Sequence, residues 1–284
     1  MTLFDDFDQR WQIPPPPAAN APIFLLSAGW RSGSTLLQRL IMSSGEVLMW
    51  GEPYGRAGVI PSMTRSALCL RQNWPNENHF PNVKDLDLSN SWVANLYPEA
   101  RALRDAFRAQ LDTLLAKPAQ AQGYSRWGLK EVRLRGEDAQ MLSWLYPDAR
   151  FVLLVRNPWD AWSSAKGVGF ALHWPTQMIN DVDSFTKHWV GCVRSFAALD
   201  PRRFVLIRYE DLISAQVGLP QLARHLQLSH MDPAVLQRKI RGVRTPRSPL
   251  SEQECQRIQT LIGDCAPALR YEPPARQAPP STST

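Results

Sequence analysis

The feature that most constrains this chain is a short apolar run that breaks into a glycine-containing turn and re-emerges as an amphipathic helix. Ile23 to Ser27 reads as a buried strand, Ala28-Gly29-Trp30-Arg31-Ser32-Gly33 as the turn, and Thr35 to Met42 as a helix with Leu36, Leu37 and Leu40 at helical spacing. A strand feeding a helix through such a turn directs several backbone N–H groups at one point. The positive end of the helix dipole faces the same point. Gly33 lets the backbone approach an anion closely, Ser34 and Thr35 add hydroxyl donors, and Arg31 adds a forked cation. The unit is an anion site. A Walker A loop needs GxxxxGK[ST]; here the spacing is one residue shorter and Ser34 stands in place of lysine, which disfavours a P-loop kinase or ATPase.

Strand and helix patterns alternate through the rest of the chain. Val47–Trp50, Trp127–Lys130, Phe151–Val155 and Phe204–Ile207 read as strands. Glu99–Leu115, Glu137–Leu145 and Val182–Ala198 read as helices. This alternation predicts a three-layer α/β/α fold around a central parallel sheet. Pro14 to Pro17 sets residues 1–21 apart as a leader, residues 22–272 form the domain, and 273–284 read as a flexible tail. Residues 55–95 are rich in Gly, Pro and Asn and read as an insertion that could cover a substrate cleft.

A second anion site follows the clearest central strand. Arg156 sits at the carboxyl end of Phe151–Val155, the ligand edge of an open α/β sheet. Asn157-Pro158 supplies an N-cap and a first-turn proline. Ser164 comes eight residues after Arg156, two turns along the helix, so the pair can grip one phosphate from two sides.

Together, Arg31-Ser32-Gly33-Ser34-Thr35-Leu36-Leu37 and Arg156-Asn157-Pro158 with Ser164 resemble the two signatures of the sulfotransferases that use 3′-phosphoadenosine-5′-phosphosulfate (PAPS). The stretch through Gly51-Glu52-Pro53 is similar to the tyrosylprotein and bacterial branch. The resemblance implies a P-loop-like fold and sulfuryl transfer from PAPS, releasing 3′-phosphoadenosine-5′-phosphate (PAP), with no metal. It implies that Arg31, Ser32, Gly33, Ser34 and Thr35 hold the 5′-phosphosulfate and that Arg156 and Ser164 hold the 3′-phosphate. The basic loop with Arg241, Arg244 and Arg247 would close over that phosphate or else be a solvated loop. A non-catalytic nucleotide-binding protein on the same fold is the alternative reading.

Sulfuryl transfer needs a base for the acceptor proton and cations for the leaving oxygen. Glu52 follows the second strand, where Trp50, Pro53 and Tyr54 would desolvate the carboxylate and make it more basic; the resemblance gives it the base role, and a structural carboxylate paired with an arginine is the competing role. Lys130 matches a family lysine that stabilises the transition state, a task Arg31 can share. An ion pair with Glu131 or another carboxylate is the competing role for Lys130. Histidine bases remain as alternatives at His79 and His173. Trp30, Trp159 and Trp162 adjoin the motifs and could line an aromatic cleft.

Net charge +6 suits an anionic nucleotide, and the basic residues are dispersed along the chain, unlike a nucleic-acid module. The four cysteines form no CxxC pair, and no apolar run reaches membrane-span length. The acidic N-terminus is unlike a secretory signal, so the expectation is a cytoplasmic enzyme. The acceptor expected is a small-molecule or lipid-like hydroxyl compound, a phenol, or a peptide tyrosine. Nothing in the sequence fixes an oligomeric state.

Overall fold

The computed structural model describes residues 4–18, 20–54, 57–71, 74–168, 172–174, 177–214, 218–238 and 247–274. Its centre is a five-stranded parallel sheet built from β1 (Ile23–Ser27), β2 (Leu48–Trp50), β3 (Trp127–Glu131), β4 (Arg150–Val155) and, after the small antiparallel pair β5 (Leu172–Trp174) and β6 (Gln177–Ile179), β7 (Phe204–Arg208). The strand order is β2-β3-β1-β4-β7. β1 is therefore flanked by β3 on one side and β4 on the other, with Leu25 opposite both Lys130 and Val152. The chain moves to opposite sides of β1, so a crevice opens at the carboxyl ends of these strands.

The sheet is apolar on both faces because helices cover both. Ile23, Leu25, Val152 and Leu154 face one layer, where they meet Leu37, Leu40 and Ile41 of a helix at Ser34–Met42. Phe24, Leu26, Phe151, Leu153 and Val155 face the other, against Leu142, Trp189, Cys192 and Ile258. The three-layer α/β/α reading is the fold observed.

Helices are numbered along the chain as α1 (Asp5–Arg10), α2 (Ser34–Met42), α3 (Val59–Leu68), α4 (Ala102–Leu111), α5 (Lys117–Ala121), α6 (Gly136–Leu145), α7 (Pro158–Gly167), α8 (Val182–Ala197), α9 (Tyr209–Ile213), α10 (Leu219–Leu226), α11 (Ala234–Gln237), α12 (Glu252–Ile262) and α13 (Cys265–Ala268). Three departures from the sequence reading have physical causes. The leader packs onto the domain: Phe4 stacks on Trp144 with ring centroids 4.8 Å apart, and Asp8 reaches the buried Arg104 at 2.8 Å and the Trp144 indole N–H at 3.0 Å. The segment read as an insertion without secondary structure assigned to it contains α3, which buries Met63, Thr64 and Ala67; the Thr64 hydroxyl donates to Asp138 of α6 at 2.7 Å. Only the following stretch is loop-like, with short turns at Glu77–His79 and Val83–Asp85 and with Trp92 81% exposed. The helix expected to end at Leu115 runs on to Ala121 through a π-turn at Asp112–Ala116. That turn lies just before Pro118, whose ring and missing N–H interrupt α-helical bonding. The tail beyond Pro274 lies outside the described residues.

Candidate active site

The loop between β1 and α2 is wound tightly. Gly29, Arg31 and Gly33 have φ of 85°, 60° and 87°, so left-handed residues fall at alternate positions. Backbone of this kind turns its amides inward and forms anion-binding concavities. Only glycine fits at residue 33: a Cβ there would lie 2.2 Å from the Tyr209 ring. Arg31 holds a left-handed conformation with a full side chain, a strain that a tightly determined site sustains. The Ser32 hydroxyl donates to the buried Ser27 hydroxyl at 3.0 Å, so the side chain braces the loop from within. Ser34 and Thr35 occupy the first turn of α2, with Thr35 exposed.

The second signature closes onto the first. Asn157 caps α7 by accepting from the N–H groups of Trp159 and Asp160 at 3.1 and 3.2 Å, as its sequence position predicts. Arg156 is only 7% exposed, and its Nη1 donates to the Arg31 carbonyl at 2.7 Å. Arg31 Nε in turn donates to the Ser164 hydroxyl at 3.1 Å. Thus Arg31 joins residues 156 and 164, all three expected at one nucleotide. The Arg156 guanidinium lies 4.6 Å from the Tyr209 ring centroid, and the same ring closes over Gly33. Burial lowers the pKa of both Arg31 and Arg156 from the ordinary arginine value, foremost through desolvation. Glu210 steadies the turn, accepting from the Asn157 N–H at 3.0 Å and from the Tyr271 hydroxyl at 2.9 Å.

At the carboxyl end of β3 lies a cluster of four charges. Glu52 Oε1 accepts from Lys130, and Oε2 forms an ion pair with Arg133 Nη1 at 2.7 Å. Arg133 Nη1 also reaches Glu131 at 3.0 Å. The surroundings expected for Glu52 were apolar; those observed are two cations. Trp50 points its indole N–H at the Leu115 carbonyl, 3.0 Å away, and Tyr54 is exposed. Lys130 pairs with Glu52, whereas Glu131 pairs with Arg133. Burial, its first cause, raises the pKa of Glu131, and Arg133 opposes that rise.

Other sequence candidates fall elsewhere. His79 is buried in an aromatic group, 4.4 Å from Trp74 and 4.8 Å from Tyr97 by ring centroids. The side chain of His173 and the whole of Arg241 and Arg244 lie outside the described residues. Arg247 is half exposed and pairs with Asp160 of α7 at 3.2 Å. Trp30, Trp159 and Trp162 are buried: the Trp159 indole donates to the Cys255 carbonyl at 3.2 Å and that of Trp162 to Glu254 at 2.9 Å.

Sequence reasoning missed Arg133, His188 and Tyr209. His188 lies under the loop, with its ring 5.0 Å from that of Trp30 and its Nε2 3.2 Å from the Val132 carbonyl. A signal for it existed, since residues 185, 188, 189, 192, 193 and 196 share the apolar face of α8. Beside it, burial pushes the Cys192 thiol up to about 12 and leaves it unreactive. The described cysteines are free thiols.

Residues 22–233 match the family model described as "Sulfotransferase family". The chain belongs to the sulfotransferase family. No curated protein matches this sulfotransferase in sequence. Among solved structures it is similar to the sulfotransferase domain of the curacin biosynthetic pathway, at 19% identity and a TM-score of 0.47, over 91% of this chain and 100% of that one. It is also similar to a sulfotransferase from Alicyclobacillus acidocaldarius, at 14% identity and 0.45, over 90% and 98%. The sulfotransferase domain of the Synechococcus PCC 7002 olefin synthase aligns at 18% identity and 0.38, over 89% and 98%. Among the described residues of this sulfotransferase no helix is long and apolar enough to cross a membrane.

Proposed function

We propose that this sulfotransferase moves a sulfuryl group from PAPS to a hydroxyl acceptor, with Glu52 as general base. The observation that carries the reading is the contact of Arg31 with both Arg156 and Ser164 beside the carboxyl edge of β1 and β4. The residues fit the donor. Arg156 Nε is buried without a hydrogen-bond partner among the described residues, so a phosphate arriving there meets an unspent donor. The left-handed loop and the start of α2 suit the 5′-phosphosulfate.

In the reaction the acceptor oxygen attacks sulfur, an O–S bond forms, and the S–O bond to the 5′-phosphate breaks. The acceptor proton passes to the Glu52 carboxylate, and PAP leaves with the electron pair. Lys130 and Arg31 oppose the charge growing on the leaving oxygen. Lys130 holds Glu52 in this structure; a bound donor offers its ammonium a second anion, and its turn toward the leaving oxygen frees Oε1 to accept the proton.

The acceptor class is a small hydroxyl compound, phenolic or lipid-like, or a peptide tyrosine as in the tyrosylprotein branch. The free cysteines suit a reducing cytoplasm.

Calorimetry with PAP and with ATP tests the donor: PAP binds and ATP does not, and the reverse order overturns the reading. Transfer from labelled PAPS to a panel of phenols, alkyl alcohols and tyrosine peptides tests the activity. Glu52→Gln should lower turnover by two or more orders of magnitude and leave PAP affinity near the wild-type value. Wild-type turnover in that variant removes Glu52 as the base.

A further inference from the structure

We propose that Arg133 is a positioning residue that fixes the Glu52 carboxylate for proton transfer, an inference resting on the assignment of Glu52 as base. The two cations on Glu52 differ in kind. Lys130 is a flexible ammonium on Oε1. Arg133 is a planar, permanently charged guanidinium whose Nη1 is ion-paired with Oε2 at 2.7 Å.

Arg133 is held by Glu131 and by the Trp30 ring, and its side chain is largely buried. Its Nη1 is shared with Glu131, whose Oε1 is also tied to the Val132 N–H at 2.8 Å and so moves only with the end of β3. Its guanidinium faces the Trp30 ring at 5.3 Å, within cation–π range, and that ring lies against His188. Its side chain is 10% exposed. Glu52 therefore inherits the rigidity of the sheet edge through Arg133, and the same guanidinium rests on the phosphosulfate loop. When Lys130 leaves Oε1, Oε2 stays anchored, and the base keeps its orientation. The charged groups packed about Glu52 among the described residues are Lys130 and Arg133 in contact, with Glu131 behind Arg133.

The test uses the full chain with Arg133→Met, Arg133→Lys, Glu52→Gln and the double variant Arg133→Met/Glu131→Gln. The double variant is needed because methionine alone leaves the buried Glu131 unpaired, which by itself destabilises the fold. The first readout needs no acceptor: in protein labelled with 13Cδ-glutamate, the resonance missing from Glu52→Gln is that of Glu52. Its chemical shift moves and its line broadens in Arg133→Met and in the double variant, because the carboxylate has lost the ion pair that fixes Oε2. The second is turnover with labelled PAPS and 2-naphthol as the probe acceptor. The expected result is a kcat lowered ten- to a hundred-fold, the acid limb of its pH profile moved upward, and PAP affinity within about twofold of wild type. Arg133→Lys should recover the position of the acid limb but only part of kcat.

If the double variant restores kcat together with thermal stability, Arg133 serves folding alone and the proposal fails. An unmoved Glu52 resonance overturns it without reference to any acceptor. Wild-type turnover in Glu52→Gln overturns the base assignment itself. Loss of turnover there with an unaltered Arg133→Met profile overturns only the role of Arg133.

Discussion

Arg156 donates from Nη1 to the carbonyl of Arg31 at 2.7 Å, so the two signatures of the chain, 125 positions apart, meet through a side chain of one and the backbone of the other. The contact orients the Arg156 fork and holds Arg31 in its left-handed conformation at the same time. The 3′-phosphate and the 5′-phosphosulfate would therefore be read by one coupled unit.

Arg156→Ala should weaken PAP binding by roughly 30- to 100-fold, since a charge-assisted hydrogen bond to a buried group is worth about 2–3 kcal/mol. The sharper measurement compares PAP with adenosine 5′-phosphate by calorimetry. In wild type the 3′-phosphate should strengthen binding greatly, and in the variant the two ligands should converge. A preserved gap would remove Arg156 from the 3′-phosphate.

The signatures were legible because each is local. Strand, turn, cap and helix lie within a score of residues, and the chemistry of Arg31, Gly33, Arg156 and Ser164 follows from position on the sheet edge. The setting of Glu52 was not. Its carboxylate lies just past β2, but both cations on it come from the far end of β3, roughly 80 residues later, and the parallel pairing of β2 with β3 brings them together. Arg133 carried no motif, being one arginine among many. The leader was hidden for the same reason: Phe4 and Phe7 sit in a short acidic segment whose partner, Trp144, is far along the chain. α3 was masked by the glycines and prolines around it, although Met63, Thr64 and Ala67 fall on one helical face.

That docking predicts a stability effect without a functional one. Phe4→Ala removes a fully buried ring stacked on Trp144. The cost should be about 3 kcal/mol, enough to lower the melting temperature by roughly 6 °C or more in a domain of this size. PAP affinity should be unchanged, because α1 does not reach the loop. A melting temperature equal to wild type would show that the leader is not part of the fold in solution.

Gly33→Ala should damage the site directly. The new Cβ meets Tyr209 at 2.2 Å and would have to be accommodated at φ 87°. The ring cannot simply step aside, since Arg156 packs on it. PAP affinity should fall more than tenfold, with a loss of about 1–3 kcal/mol in stability from the strained backbone. Calorimetry and urea unfolding measure the two effects; PAP binding at wild-type strength would mean that the loop has room not seen here.

The last prediction concerns pH. Burial, with Arg135 and Arg133 as lesser causes, holds the His188 imidazole down at about 4, against an unfolded value near 6.5; its contact with the Val132 carbonyl works in the other direction. Between those two values the unfolded chain binds a proton at this residue and the folded chain does not. Stability from the neutral histidine is therefore complete above about pH 6.5 and is lost as pH falls toward 4, by roughly 3 kcal/mol. Glu131 and Asp138 act with the opposite sign, because burial raises their pKa and the folded state takes up their protons first. The wild-type curve sums these effects, so the comparison must be with a variant. His188→Gln keeps a polar contact for Val132 but does not titrate. Urea unfolding at pH 7 and pH 4 should show wild type losing about 3 kcal/mol more than this variant between the two conditions. Equal losses would mean that His188 is not held neutral beneath Trp30, and that the loop between β1 and α2 rests on a softer floor than the packing of α8 implies.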